Sequence, residues 1–182
     1  LKYYNPKYLL VTPFTDANTK GATTYLVENV VRDTTTITQE DNEENPVDNE
    51  FTSEPIVNNI VAGSYTFASE VGDLQGDLVE ALAGFKVDET SSKIYAPDGY
   101  VEVFAEIALV FASGAKYIAA ILPKVQINAT VLIESLNTSV GRLTLSGTGY
   151  NLEMTDGENK YITPFILDPN FTLPAGIITP GA

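Results

Sequence analysis

The strongest constraint in this sequence is a long run of alternating side chains between residues 101 and 111. Every second residue of the run is apolar, namely Val101, Val103, Ala105, Ile107, Leu109 and Phe111. The residues between them, such as Glu102, Phe104 and Glu106, are mixed. A repeat of two places each set on one face of a strand. Ser113-Gly114 then predicts a turn into a hairpin partner over residues 115–122, with a strand edge or break at Pro123.

Several other segments also have the residue patterns of β-strands. Alternation also occurs in residues 64–71, 125–135 and 142–146. Further β-rich or apolar segments occupy residues 8–12, 23–32, 34–38 and 56–61, and the first of these stops at Pro13. Such segments favour strands because β-branched and aromatic side chains suit a pleated surface. We therefore expect about eight strands in total.

One segment predicts a helix instead. Apolar residues recur at helical spacing at Leu74, Leu78, Ala81, Leu82 and Phe85. Asp77 with Glu80 forms a variant of the capping box, and Gly84 is a natural residue to end the helix. A helix this short is not stable alone, so we expect it to lie on a sheet with its leucine face down.

These elements predict a mainly β protein, an antiparallel β-sandwich or barrel with one short flanking α-helix. The length of 182 residues suits a single domain over residues 1–182. Within it we place the core at about residues 23–155. Outside the core we place an N-terminal arm over residues 1–22 and an extended, Pro-rich C-terminal arm over residues 156–182, with local apolar anchors at Phe165, Ile166, Phe171 and Ile177. An acidic loop over residues 39–54 interrupts the core.

The amino-acid composition excludes most kinds of catalytic site. The chain has no Cys, no His and no Trp, so thiol nucleophiles, serine–histidine–aspartate triads and the usual zinc ligand sets are excluded. Paired carboxylates remain, but Glu102 and Glu106 are roughly 13 Å apart along an extended strand. That separation exceeds the one that glycosidase pairs use. We therefore expect no catalytic site, no cofactor, no metal and no small-molecule substrate.

Charge and hydropathy limit the partners. The net charge is −14 with only ten Lys and Arg, which argues against a dedicated nucleic-acid binder because such proteins neutralise phosphates with those residues. No apolar segment reaches the roughly 18–20 residues of a membrane span, and residues 1–6 lack the apolar run of a signal peptide. We expect no membrane partner.

The acidic loop leaves three interpretations open. It carries Glu40, Asp41, Glu43, Glu44, Asp48 and Glu50 with no basic residue among them. Such a run is typical of a solvated loop. A calcium loop is a second interpretation, although the glycine of an EF-hand loop is missing. A third is a loop that orders only against a neighbouring subunit.

The order of these parts is similar to that of a known family. An acidic loop and a strand lead to Glu70-Val71-Gly72-Asp73-Leu74 and a helix ending Leu82-Ala83-Gly84-Phe85. A Tyr-Ala-Pro-Asp-Gly turn, a long strand and Ser113-Gly114-Ala115-Lys116-Tyr117-Ile118 follow, then Leu136-Asn137-Thr138-Ser139 and Ser146-Gly147-Thr148-Gly149. From about residue 34 to residue 155 the chain resembles the major tail (tail tube) proteins of long-tailed bacteriophages. Those proteins are related in fold to the tubes of contractile injection systems.

The resemblance implies an assembly. Six subunits would form a ring with a continuous β-barrel as its inner wall, and the rings would stack into a tube through which DNA passes transiently. It also implies other tail proteins at the tube ends, a place in the virion tail and assembly in the host cytoplasm. On this basis Glu70, Glu102, Glu106 and Lys116 are candidates for the lumen or inter-subunit face, and the acidic loop is a candidate for contacts between rings.

Two other functions stay open. One is a different structural β protein, such as a fimbrial or pilin subunit or a capsid decoration protein. The other is a β-sandwich that binds or hydrolyses carbohydrate, although the absence of Trp speaks against it.

Overall fold

The computed structural model describes residues 5–47, 50, 57–72, 74–133 and 141–179. It confirms the predicted class, since nearly all of the regular structure is antiparallel β with one short helix, α1, Gly76–Ala83. Eight strands form the main sheet, namely β1 Asn5–Pro13, β2 Tyr25–Val27, β3 Thr36–Gln39, β6 Tyr65–Val71, β9 Val103–Ser113, β10 Lys116–Leu132, β11 Arg142–Gly149 and β14 Ile166–Phe171. The remaining strands form two-stranded hairpins, namely β4 Glu43–Val47 with β5 Val57–Val61, β7 Lys86–Val87 with β8 Ile94–Tyr95, and β12 Leu152–Asp156 with β13 Asn159–Thr163.

The long strand β10 organises the sheet, whose order is β2-β1-β9-β10-β11-β6-β3. Residues 117–121 of β10 pair with β14, whereas residues 125–132 pair with β11. The change of neighbour coincides with a register shift between Leu122 and Val125. Pro123 is buried at this shift, inside a long strand. The expected edge or break is therefore an internal bulge, which accommodates a residue that lacks an N–H donor.

The sheet curls around one large core. Beyond β2, the N–H of Val31 donates to the carbonyl of Glu70, and the N–H of Gly72 donates to that of Asn29. These bonds join the β2 side of the sheet to β6. The first core lies between them and comprises Leu9, Val11, Val27, Phe67, Val71, Leu78, Val79, Leu82, Ala105, Ile107, Leu122, Val125, Ile127, Leu143 and Leu145. Alternation along the strands supplies most of these side chains, and α1 supplies Leu78, Val79 and Leu82.

Helix α1 covers part of this core with Leu78, Val79 and Leu82, all of which are buried. Its end was predicted correctly, because Gly84 adopts a left-handed conformation with φ 71°. The start of the helix was predicted wrongly. Its N-cap is Gln75, which makes no side-chain capping hydrogen bond, and Asp77 lies inside the first turn. The expected Asp77–Glu80 capping box is therefore wrong, and Asp77 instead places a negative charge at the positive end of the helix.

The prediction that residues 1–22 form an arm outside the core is wrong for the residues of β1. Leu9, Leu10 and Val11 are at most 3% exposed, and β1 pairs with β2 on one side and with β9 on the other. The core therefore begins well before residue 23. Sequence reasoning identified the strand but missed its place, because its partner β9 lies about 100 residues later in the chain.

The Pro-rich C-terminal segment is also part of the fold. A second core, made of Leu10, Ala108, Val110 and Ala119, lies on the outer face of β1, β9 and β10. Residues 172–178, which we call the C-terminal strap, cross this face from β14 to β2. Leu173 and Ile177 pack on the second core, and the N–H of Ile178 donates to the carbonyl of Thr24 at 2.9 Å. The predicted apolar anchors Phe165, Phe171 and Ile177 do pack on the two cores. Residues 164–179 are therefore part of the fold instead of an arm outside it, whereas β12–β13 forms a separate hairpin.

Strand β9 begins and ends two residues later than the alternating run of residues 101–111 predicts. Val101 is 41% exposed and precedes the strand, so Glu102 is not a strand residue. From Ala108 onward the buried side chains lie on the opposite face, since Ala108 and Val110 belong to the second core, whereas Leu109 and Phe111 are only half-buried. The single apolar face that we expected is correct only for the first half of the strand.

Candidate functional site

Beyond the second core, the outer face of the sheet is half-buried to exposed among the described residues. The register of five strands aligns Phe104 of β9, Gln126 of β10, Thr148 of β11, Thr66 of β6 and Thr38 of β3 in one row. Because directly opposed residues project from the same face, these side chains form a continuous strip. All of them are half-buried or exposed.

A second row runs parallel to the first. It contains Asn128, Ser146, Ala68 and Thr36 on β10, β11, β6 and β3. We call the two rows the open face. Its side chains are mostly hydroxyls and amides, none of them ionisable, and it holds a shallow groove of about 600 Å³ between β6, β10 and β11. The open face is thus polar but uncharged.

Two of the predicted site residues lie at opposite corners of the open face. The carboxylate of Glu106 on β9 accepts hydrogen bonds from Lys20 Nζ at 3.1 Å to both oxygens. Glu70 on β6 lies 3.6 Å from the Arg142 guanidinium. By the strand register the two carboxylates are separated by about 20 Å along the strands and about 14 Å across them. They do not form a pair, and each has a cation beside it.

The other two predicted residues lie elsewhere. Glu102 is exposed in the segment before β9. Lys116 is exposed at the turn between β9 and β10, where its Nζ lies 3.5 Å from Asn170 Oδ1. The four candidates therefore do not share one surface. Of these, Glu70 and Glu106 border the open face, whereas Glu102 and Lys116 do not.

A cluster of aromatic and amide side chains lies at one end of the open face, and sequence reasoning missed it. The Tyr150 hydroxyl donates to Gln126 Oε1 at 2.9 Å, and Gln126 Nε2 lies 3.4 Å from the Tyr100 hydroxyl. The Phe104 ring packs edge-on against Tyr150, while Lys124 Nζ lies 4.6 Å from the centre of the Phe104 ring. The signal was weak, since Tyr100 and Tyr150 flank strands that are distant in sequence.

The three two-stranded hairpins form arms beside the sheet. We call β4–β5 the first arm, β7–β8 the second arm and β12–β13 the third arm. The arms expose large apolar side chains, namely Val47, Ile60, Val61, Ile94, Tyr95, Tyr161 and Ile162. Ile162 is 70% exposed and Ile60 is 56% exposed. Isolated two-stranded hairpins have marginal stability in water, so apolar contacts from outside the arms would stabilise them.

Residues 43–47 of the predicted acidic loop form strand β4 of the first arm. Glu43 and Glu44 lie on β4, opposite Val61 and Ile60 of β5, so this part of the expected loop is a strand. Glu40 and Asp41 are exposed just before it, and Glu50 is exposed beyond it. Asp48 lies outside the described residues. The base of the arm is fixed where Ser64 Oγ donates to Glu40 Oε2 at 2.7 Å and the N–H of Gly63 donates to Asn42 Oδ1.

Two turn aspartates and two tyrosines have shifted pKa values. The backbone N–H of Asn18, with further bonds from Thr19, lowers the pKa of Asp16 below 3.8. The N–H groups of Ser91 and Thr90 likewise lower the pKa of Asp88, in the turn of the second arm. Both carboxylates brace turns, because a hydrogen bond from an N–H favours the ionised form.

The tyrosine shifts have different causes. A hydrogen bond with Tyr8 raises the pKa of Tyr117, beside the second core. Burial raises the pKa of Tyr25, and the carboxylates of Asp77 and Glu80 on α1 add to the effect. These shifts keep both phenols neutral and do not create a catalytic acid or base near pH 7.

Within the described ranges no group of three or more Asp or Glu side chains is arranged to hold a metal ion. In the same ranges no helix has the length and apolarity needed to cross a bilayer. Comparisons of the chain with known protein families and with curated proteins gave no match.

Proposed function

We propose that this chain is a structural subunit that assembles with copies of itself into hexameric rings, and that the rings stack into a phage tail tube that conducts DNA. The observation that carries the proposal is the concentration of exposed apolar side chains on the three arms. Val47, Ile60 and Val61 on the first arm, and Tyr161 and Ile162 on the third, are all 48–70% exposed. Clustered exposed apolar side chains mark interaction sites.

The open face supports the conduit part of the proposal. A wall along which DNA slides must offer few groups that hold phosphates. Hydroxyl and amide side chains bind phosphate far less than free cations do. Lys124, beside the Phe104 ring, donates to Asn18 Oδ1, and two further cations near this face are paired with carboxylates. Lys20 is paired with Glu106, and Arg142 is paired with Glu70. In the tube that we propose, the open face is the candidate wall of the lumen.

The proposal extends to partners and location. Other tail proteins would contact the ends of the tube, and DNA would pass through it without specific binding. The subunit would belong to the virion tail and assemble in the host cytoplasm. A fimbrial subunit or a capsid decoration protein is the alternative within the same structural class, and the architecture of the assembled particle separates these possibilities.

Electron microscopy and light scattering of the purified chain test the proposal. We expect rings of six subunits, and tubes at high protein concentration. A variant with Ile60→Asp, Tyr95→Asp and Ile162→Asp should remain folded but monomeric, because charge at three exposed apolar positions opposes their burial. Glu89→Ala, in the turn of the second arm, is the matched control and should assemble normally. A chain that stays monomeric at every concentration and salt condition would refute the proposal.

A second candidate function is the binding of a neutral carbohydrate. The specific observation in its favour is the cluster of Tyr100, Gln126 and Tyr150 beside the groove on the open face. Aromatic faces and amides are the groups that contact sugar rings and hydroxyls. A glycan array distinguishes the two functions, since Tyr100→Ala and Tyr150→Ala should abolish glycan binding but leave ring assembly unchanged.

A further inference from the structure

A groove with a mostly apolar lining lies beside β1 and β2. It has a volume of about 920 Å³. Its floor comprises Leu9, Val27, Val30, Leu109 and Phe111. The last three are only half-buried, so the groove presents apolar surface that a partner can cover.

The rim of this groove carries equal numbers of positive and negative side chains, namely the cations Lys7 and Arg32 and the carboxylates Glu28 and Asp33. The whole chain, by contrast, is strongly acidic, with 24 acidic and 10 basic residues. Arg32 lies 3.7 Å from Asp33, and the two side chains are 94% and 91% exposed. Such an exposed pair is weak, so Arg32 remains able to bind another carboxylate.

The first arm is complementary to this groove in two respects. It exposes the apolar side chains of Val47, Ile60 and Val61. Its strand β4 carries Glu43 and Glu44, and Glu40 and Asp41 lie just before it, with no basic residue over residues 40–47. An apolar hairpin that carries carboxylates can match an apolar floor whose rim holds the cations Lys7 and Arg32 beside the carboxylates Glu28 and Asp33.

The arm and the groove lie at opposite ends of β6. The first arm leads into the start of that strand near Tyr65, since the N–H of Glu40 donates to the carbonyl of Ser64. Residues 28–35, which form one wall of the groove, are bound at its other end, where Val31 and Gly72 bond to Glu70 and Asn29. The strand has seven residues, a length of about 23 Å. An arm therefore reaches a groove more readily in a second copy than in its own chain.

We propose that the first arm of one copy seats in the groove of the next copy, with its carboxylates beside Lys7 and Arg32. Such a contact joins different surfaces of the two partners, so it leaves a free arm at one end and a free groove at the other. Contacts of this type propagate by adding subunits. The inference rests on the proposed function, and it identifies which two surfaces of the subunit meet during assembly.

Disulfide trapping tests the contact, because the chain has no cysteine of its own. One preparation carries Ile60→Cys on the arm, and a second carries Phe111→Cys in the groove. When the two are mixed, assembled and oxidised, we expect a mixed disulfide dimer on a non-reducing gel. Ile162→Cys on the third arm, mixed with Phe111→Cys, is the control and should yield at least tenfold less dimer.

Charge exchange gives a second test that does not alter the groove floor. Lys7→Glu with Arg32→Glu should lower assembly at least tenfold, and adding Asp41→Lys with Glu43→Lys to the same chain should restore it. If rings or tubes form but neither the mixed disulfide nor the rescue is observed, the arm–groove contact is wrong while the proposed function stands. If no variant and no wild-type preparation assembles, both are wrong.

Discussion

Lys20 forms an ion pair with Glu106, and its Nζ lies 3.1 Å from both carboxylate oxygens. Glu106 lies on β9 at the boundary between the open face and the second core, and its side chain is only 16% exposed. Lys20 lies in the segment that follows β1, where it bridges to Phe14. The ion pair therefore fastens the turn after β1 onto the middle of the sheet.

Removing this pair should lower stability modestly. We expect Glu106→Gln to reduce the free energy of unfolding by about 0.5–1 kcal/mol, since a partly exposed pair is screened by solvent. Urea denaturation measures the change, which should shrink at high salt. The control is Glu153→Gln, because Glu153 and Lys160 are paired at 2.9 Å but are 58% and 71% exposed. An equal loss in both variants would contradict the role of burial.

Substitution of Gly84 should be among the costly changes in the chain. Gly84 ends α1 with φ 71°, and a Cβ built there would lie 2.7 Å from Val101 Cγ2. We expect Gly84→Ala to cost about 1–3 kcal/mol, from the left-handed backbone and the close contact together. In Gly76→Ala the new Cβ would meet Val87 Cγ2 at 3.6 Å, so thermal unfolding should show little change or a slight gain. Equal Tm values for the two variants would disprove this reasoning.

The C-terminal strap should contribute measurably to stability. Leu173 packs on the second core, whereas Leu167 on β14 is 62% exposed. We expect Leu173→Ala to lower the free energy of unfolding by about 1–2 kcal/mol, because a cavity opens against the second core. Leu167→Ala should change it by less than about 0.5 kcal/mol. Chemical denaturation of both variants provides the comparison, and a neutral Leu173→Ala would show that the strap is only loosely attached.

The turn aspartates predict a loss of stability in acid. The folded-state pKa values of Asp16 and Asp88 lie below their ordinary value of 3.8. A lowered folded-state pKa adds stability above the unfolded pKa, and that stability disappears as the pH falls through the folded pKa. We expect the contribution to be complete above about pH 5 and to fade below about pH 4. NMR titration of the two carboxyl groups measures the pKa values directly, and midpoints at or above 3.8 would contradict the prediction.

Local pattern predicted the elements better than their partners. The alternation in residues 64–71 and 142–146 located β6 and β11, because each strand has one face on the first core. The same pattern failed in β9, where Ala108 and Val110 are buried on the face that we expected to be mixed. No local signal reveals that residues 172–178 of the same chain cover that face.

The candidate surfaces were harder to predict than the strands. Glu70 and Glu106 were identified correctly as residues of the face opposite the first core, since alternation alone fixes that property. Their partners Arg142 and Lys20 were not identified, because pairing between distant strands places them there. The acidic loop was read from composition, and composition did not reveal that Glu43 and Glu44 pair with β5.

The pairing of β1 with β9 has a consequence for folding during synthesis. Leu9 of β1 pairs with Leu109, and Tyr117 of β10 pairs with Phe171 near the C-terminus. Loop closure over such sequence separations is slow compared with local contacts. A nascent chain on the ribosome therefore cannot complete the first core before Leu145 has been translated, or cover the second core before Leu173 and Ile177 have been translated. Binding of a chaperone to the growing chain should accordingly persist until residues 166–178 have left the exit tunnel.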